Sequence, residues 1–285
     1  MRKGRGSSTA QFVALNRALG SLAPTVPGFG DPIAEHFLND RWRKKVSNMR
    51  VALAAGRRKS PYPFWFRGMG VFNQFRKVVL DEALQQAVPF EQLVVLGAGL
   101  DGRAWSLPGL ESSIVFEVDH PETQQWKRDR ARGTKLLARE VRFVGMDFIE
   151  DDLATKLGEA GYDPKNSSFW LWEGVTMYLS PSDNAKTLEA VARLSSSGSH
   201  LAMTYMAKKN GKLPRSWFLA FLGEPVRSAY TVEELAQAVA ASGWVTESNN
   251  GIEDWINRLT PALDLTEEKV GLQWGERIWV GRRSD

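Results

Sequence analysis

Two kinds of apolar spacing follow one another along this chain, and the change falls near residue 90. Before it, apolar residues recur at helical intervals: Phe12, Leu15 and Leu19 form one stripe, then Ile33, Phe37 and Leu38 a second. Residues 23–32, rich in Pro and Gly, read as the loop between them. Another break lies at residues 60–63, beside the aromatic cluster Tyr62, Phe64, Trp65 and Phe66, and a helix is predicted from about Val71 to Ala87. Residues 1–10 read as a loose tail.

From Leu93 onward the apolar residues gather into short unbroken runs. Residues 93–97 (LVVLG), 113–119 (SIVFEVD), 141–147 (VRFVGMD), 168–174 (SFWLWEG) and 199–206 (SHLAMTYM) each have the form of a strand buried on both faces. Helical patterns at 121–132, 153–160 and 183–194 separate them. Strands alternating with helices predict a parallel sheet with right-handed crossovers. Residues 243–249 and 276–283 add two strands, and a helix at 231–242 opens with a Thr231/Glu234 capping box. The expected fold is thus α/β: a seven-stranded, doubly wound, Rossmann-like sheet, residues 91–285, under an N-terminal helical cap, residues 1–90. Ligands of such sheets sit beyond the carboxyl ends of the strands. That rule gathers residues 97–101, Asp119, Asp147, Glu173 and Tyr205 around one crevice.

Composition narrows the choices. The chain has 285 residues, 43% of them hydrophobic, which is enough for a large core. It has no cysteine, so disulfides, thiolate metal sites and cysteine nucleophiles are excluded. No apolar run approaches the roughly 18 residues of a membrane span, and the basic N-terminus lacks the apolar stretch of a secretory signal. A cytoplasmic protein that does not enter a membrane is expected. The first 60 residues hold 12 Lys or Arg against 3 Asp or Glu, within a formal net charge of +4. They lack a repeated basic motif interleaved with stacking aromatics, so a solvated helical surface is expected there, and nucleic acid is not expected as a partner. The three histidines, His36, His120 and His200, show no metal-ligand spacing, and the acidic residues 150–152 read as a helix start.

Gly97-Ala98-Gly99-Leu100-Asp101-Gly102 matches G-x-G-x-x-G, with Asp119 20 residues after Gly99. This pattern fits a dinucleotide enzyme. Asp101, however, stands inside the turn that would cradle a pyrophosphate, where its charge would repel the ligand. S-adenosyl-L-methionine carries a sulfonium, an ammonium and a carboxylate but no phosphate. Asp119 fits hydrogen bonding to its ribose hydroxyls, and Asp147 with Phe148 fits its adenine.

The segments LVVLGAGLDGRAWSL, VFEVDHPETQQWKR, FVGMDF and FWLWEGVTMYLS, in this order, resemble the leucine carboxyl methyltransferase superfamily. The likeness is strongest to its bacterial branch, O-methyltransferases of polyketide and other secondary metabolism, and covers roughly residues 75–205. It implies a class I methyltransferase that uses S-adenosyl-L-methionine. The implied cofactor loop is Gly97, Ala98, Gly99 and Asp101, the ribose acid Asp119 with His120 beside it, and the adenine contacts Asp147 and Phe148. Glu173, in a motif with Gly174, Tyr178 and Leu179, would lie beside the methionine part. The family also uses an upstream arginine for the methionine carboxylate. Arg76 has the better local match, and Arg67 resembles the eukaryotic branch. The sequence departs from the family at Gly102, where Thr is usual.

Methyl transfer draws mainly on proximity and orientation. A carboxylate acceptor needs no general base, whereas a hydroxyl does. No histidine stands out as a base, which points to an acidic acceptor or one held by Tyr178 or Tyr205, the two candidate catalytic residues. A lid-like insert at 207–228 carries Trp217 and Phe218, which with Phe64 and Phe66 are expected as pocket walls. A small apolar or aromatic metabolite is the expected acceptor. Competing expectations are a protein C-terminal carboxyl methyltransferase, an NAD(P)-dependent oxidoreductase, a binding protein that kept the fold, and a nucleic-acid methyltransferase, whose Asn/Asp-Pro-Pro-Tyr/Phe motif is absent.

Overall fold

The computed structural model describes residues 8–62, 67–208, 212–213, 225–263, 265 and 275–284. Phe64, Trp65, Phe66, Trp217, Phe218 and most of the 207–228 insert lie outside the described residues. Three helices come first: α1 (Ser8–Leu22), α2 (Asp40–Ala54) and α3 (Arg67–Ala87). Then follow β1 (Gln92–Leu96), α4 (Arg103–Ser106), β2 (Ile114–Asp119), α5 (Pro121–Ala131), β3 (Glu140–Gly145), α6 (Leu153–Glu159) and β4 (Ser168–Trp172). A single 3-10 turn (Thr176–Tyr178) leads to α7 (Pro181–Arg193), β5 (His200–Met206), α8 (Val232–Ala241), β6 (Trp244–Gly251), α9 (Ile252–Leu259) and β7 (Glu276–Arg283).

The seven expected strands form one sheet in the order β3-β2-β1-β4-β5-β7-β6. The first five are parallel to their neighbours, while β7 runs antiparallel to both β5 and β6. The chain order reverses between β1 and β4, which makes the crevice above them the switch point. Strand β7 therefore slots between β5 and β6 and begins, at Glu276, on the same side of the sheet where β5 ends.

The unbroken apolar runs form strands because each alternates between two cores. Leu93 and Val95 of β1 face one cluster with Phe72, Phe75 and Leu84 of α3 and Trp255 and Ile256 of α9. Val94 and Leu96 face the other, with Leu157 of α6, Val191 of α7 and Val239 of α8. Trp170 and Trp172 share this second face, as expected from their spacing. Helix starts are capped by side chains: Asp152 accepts from the Thr155 amide, Ser180 from Asp183, and Thr231 forms the expected capping box with Glu234.

A third cluster joins α1 and α2 through Leu15, Leu19, Phe37, Leu38 and Val46, and includes Leu100 of the glycine turn. Helix α3 packs both along α1 and, through Phe72, Phe75 and Leu84, on the first core of the sheet. In α2 only Val46 is buried, and its Arg41, Lys44, Lys45 and Arg50 are exposed to solvent. Among the described residues no helix is long and apolar enough to cross a membrane.

Candidate active site

A cavity of about 460 Å³ opens at the carboxyl ends of β1, β2 and β4. Its floor is the glycine turn, and its walls come from α1 (Thr9, Phe12, Val13, Arg17) and α3 (Met69, Phe72, Asn73, Arg76). A volume of this size belongs to a small-molecule site.

The turn owes its shape to its glycines. Gly97 has φ +68°, and a Cβ there would come within 2.2 Å of Val175. Gly99 has φ +49° and faces Ala10 of α1. The amides of Gly97 and Ala98 donate to the Val118 carbonyl (2.8 and 3.0 Å), and that of Asp101 donates to Ala98 (2.8 Å). The Gly99 amide donates to Asp119 Oδ2 at 2.6 Å, while Asp119 Oδ1 accepts from the His120 amide at 2.6 Å. These four amides are therefore spent inside the turn, and α4 behind it has four residues. With these four amides engaged and only a short helix behind it, the turn is poorly built to hold a pyrophosphate.

This result changes the reason for setting the dinucleotide reading aside. Asp101 does not project a bare charge at the ligand. It is buried and ion-paired with Arg103 Nη1, and its Oδ1 accepts from the Arg103 amide at 2.8 Å. Burial pushes its pKa up, but Arg103 and then Arg17 outweigh burial and hold it below the ordinary value. Gly102 has its own explanation: a Cβ there would lie 1.9 Å from Ile33, so the apolar side chain of the cap fills the place a Thr would need.

Beyond the turn lies a buried ionic network. Glu173, just past β4, accepts from Arg76 Nε (2.9 Å) and Arg103 Nη1 (2.9 Å), and Arg17 stands 3.7 Å away. Burial pushes its pKa up, but Arg103, Arg76 and Arg17 hold it far below the usual carboxylate range. Arg103 also reaches Asp81 (2.6 Å), which takes Lys77 at 2.5 Å. Arg76 Nη1 donates to both oxygens of Glu276 at 3.2 and 3.3 Å. Arg17 is held loosely, 3.6 Å from Asp31, and its buried Nη1 has no hydrogen-bond partner among the described residues.

Most of the expected site residues come together here. Gly97, Ala98, Gly99, Asp101, Asp119, His120, Asp147, Phe148, Glu173, Tyr178 and Arg76 all line the cavity. His120 caps α5, its Nδ1 accepting from the Glu122 amide at 3.3 Å. Asp147 Oδ1 accepts from the Ile149 amide at 2.9 Å. Two expectations fail on geometry. Arg67 opens α3, exposed and off the cavity wall, so of the two arginines only Arg76 reaches the site. Tyr205 is fully buried on the opposite face of the sheet, in the cluster with Trp172 and Trp279, and its hydroxyl donates to Asn249 at 3.0 Å. Strand alternation turns it away from the cavity that its neighbour Met206 lines. Arg17, Arg103 and Glu276 escape sequence reasoning, because only tertiary contact assembles them around Glu173.

Comparison with known proteins now decides the family. The leucine carboxyl methyltransferase model matches residues 10–192. This chain belongs to the leucine carboxyl methyltransferase family. A Mycolicibacterium gilvum protein, provisionally named an S-adenosyl-L-methionine-dependent methyltransferase, is 34% identical over 214 residues, 70% of this chain and 69% of its own. One from Frankia alni, similarly named, is 31% identical over 257 residues, 88% and 81% of the two chains. Among solved structures, a protein of a family of unknown function from Streptomyces avermitilis aligns over 94% of this chain and 96% of its own at 14% identity, with a TM-score of 0.57. A phosphoethanolamine N-methyltransferase of Haemonchus contortus aligns over 76% and 54% at 13% identity and a TM-score of 0.51. These two share the fold. The family member described here has the class I methyltransferase architecture and is an S-adenosyl-L-methionine-dependent methyltransferase.

Proposed function

We propose that this methyltransferase acts on oxygen, carboxylate or hydroxyl, of a small apolar or aromatic acceptor. The observation that carries the reading is the apolar part of the cavity lining, with Met69 and Phe72 from α3 and Met177 and Met206 packed with Tyr178. Flexible thioethers adapt to ligands of different outline. A peptide C-terminus would need polar partners along its backbone, and these apolar residues favour a less polar acceptor.

The cofactor fits the remaining lining. Asp119, fixed by the Gly99 and His120 amides, would accept from the ribose hydroxyls, and Asp147 with Phe148 would flank the adenine. Arg17 and Arg76 would hold the methionine carboxylate. Arg17 supports this assignment because its buried Nη1 has an unused donor. Glu173 would face the cationic part and at the same time hold both arginines in place. Helix α1 would act as the cap, since Arg17 and Ala10 reach the site from it. When bound, S-adenosyl-L-methionine supplies an activated methyl group. The protein's part is to align the acceptor oxygen behind that carbon and keep water out. Incubation with methyl-labelled cofactor and a panel of small acids, phenols, alcohols and peptides tests the reading. Labelled products should be esters or ethers of the small apolar members. Label appearing only on peptides or only on nitrogen would reject it.

A further inference from the structure

Five acids line the cavity, Asp101, Asp119, Asp147, Glu173 and Glu276, against two arginines, Arg17 and Arg76. Adding the groups that pair with them brings in Asp31 and Asp81 with Arg103 and Lys77. Among the described residues the site thus holds seven acids and four cations. The cofactor brings two positive charges and one negative, which lowers the excess without removing it. Each of the four cations is already ion-paired with at least one of these acids. Two of these cations keep a buried nitrogen without a hydrogen-bond partner, Arg17 Nη1 and Arg103 Nη2; Arg103 is not part of the cavity lining, and the donor on Arg17 is claimed by the cofactor's own carboxylate under the reading above. An acceptor carboxylate would therefore enter a partly desolvated region with surplus negative charge and, among the described residues, no uncommitted cation on the cavity wall to meet it, an arrangement that is costly for a desolvated ion.

Asp101 and Glu276 have no task in that cofactor assignment, and Asp101 is already engaged by the side chain and amide of Arg103. Glu276 begins β7, directly across from Met206 of β5, so both side chains rise on the cavity side of the sheet. Its side chain is 4% exposed. Arg76 Nη1 donates to both Glu276 oxygens at 3.2 and 3.3 Å, both long contacts, and each carboxylate oxygen keeps lone-pair capacity for a further donor. The charged groups facing it are Arg76 from α3 and Glu173 from the end of β4, and the neutral hydroxyl of Thr204 on β5 also bonds to it. Burial raises its pKa although Arg76 opposes the rise. It stands beside the apolar wall on which the acceptor would rest.

We infer that the acceptor is a neutral hydroxyl compound and that Glu276 takes its proton. As the hydroxyl oxygen's lone pair forms the bond to the methyl carbon, its O–H proton passes to the Glu276 carboxylate. The carbon–sulfur bond breaks with its electron pair kept on sulfur, leaving S-adenosylhomocysteine and an ether. Solvent recovers the proton afterwards. This inference rests on the oxygen-directed reading above and decides between its two acceptor types, against the carboxylate for which the family is named.

The test uses the intact enzyme, S-adenosylhomocysteine, and matched pairs such as 4-butylphenol with 4-butylbenzoate and octanol with octanoate. Calorimetry comes first. Failure of the wild type to bind S-adenosylhomocysteine would overturn the cofactor reading itself, separately from this inference. In the S-adenosylhomocysteine complex, at least one hydroxyl member should bind and its carboxylate partner should not. With labelled cofactor, that hydroxyl compound should yield an ether. Glu276→Gln should lower kcat by roughly 10²–10⁴-fold, abolish the rising limb of the kcat–pH profile, and change S-adenosylhomocysteine affinity by less than about tenfold, while Glu276→Asp should recover part of the rate. Esters from the carboxylate members, no ether from any hydroxyl member, or a pH profile unaltered in Glu276→Gln would each overturn it.

Discussion

Glu173 stands where three guanidinium groups converge, and its neighbours would suffer most from its loss. Replacing it with Gln leaves Arg17, Arg76 and Arg103 with a surplus of buried positive charge around a neutral group. The expected cost is about 3–5 kcal/mol, as for other broken buried pairs, measurable by urea denaturation. The sign of the pH effect follows from the direction of its shift. Its folded pKa is depressed, so its contribution is fully present above about 4.3, the ordinary glutamate value, and disappears as pH falls toward the folded value. Wild type should therefore lose stability more steeply than Glu173→Gln below about pH 4. A second pair behaves in the opposite sense. Glu117 and Lys127 are both buried, 2.6 Å apart, with the ammonium over the rings of Phe37 and Trp105. Burial, only partly offset by Lys127, raises the Glu117 pKa to about 7. The folded form thus holds its proton more tightly than the unfolded chain, and this residue's contribution to stability falls as pH climbs from about 4.5 to about 7. Glu117→Gln alone strands Lys127. Glu117→Gln with Lys127→Met should recover most of that loss and flatten the pH dependence in this window, as denaturation series at pH 5 and 7 would reveal. Sequence pattern located the acids at strand ends but not their partners. Arg17 and Arg103 carry no local signature, because what makes them functional is a carboxylate 156 or 70 residues away in the chain. Tyr205 misleads for a related reason: a strand end says that a residue is near the crevice, while a one-residue step decides which face it joins.

At the level of elements, continuous apolar runs made the first five strands legible, since burial on both faces leaves few alternatives, while the last two, at 243–249 and 276–283, read as strands without such a run at the first of them. Their lateral order was less so. Nothing in the 276–283 pattern states that it inserts between β5 and β6 and runs antiparallel, because pairing depends on which edge is free once the parallel half has formed. Helix α9 escapes the expectations although Ile252, Trp255, Ile256 and Leu259 carry the helical spacing; the strand before it and its short length mask the signal. The meeting of cap and turn offers a direct experiment. Gly102→Thr, the family's usual residue, should destabilise this protein by about 1–3 kcal/mol, because Ile33 occupies the space. Adding Ile33→Ala should return most of the loss. If Gly102→Thr alone raised Tm, the contact with Ile33 would not be the reason for the glycine.

For the molecule as a whole, the cavity joins parts far apart in sequence: α1 near the start, the turn after β1, and β7 at the end. A ligand that bridges them stabilises the entire fold. S-adenosylhomocysteine at about one hundred times its Kd should add about 2.7 kcal/mol, or roughly 5–10 °C in Tm for a domain of this size. NADH should add nothing, since four of the turn's amides are already engaged and the helix behind it is short. Differential scanning calorimetry with each ligand separates these outcomes, and a shift with NADH alone would reopen the dinucleotide reading.

The seclusion of the ionic network has a further consequence, in its response to ionic strength. Mobile ions screen charges that face bulk water, over a Debye length of about 8–10 Å at ordinary salt. They do not enter a space where Arg103 is 1% exposed and Glu173 8%. Adding potassium chloride up to molar levels should therefore weaken any contact made by the exposed basic residues of α2 while scarcely altering the grip on S-adenosylhomocysteine. The two ends of the chain's charge distribution would then separate along a salt axis, one fading with added electrolyte and the other indifferent to it.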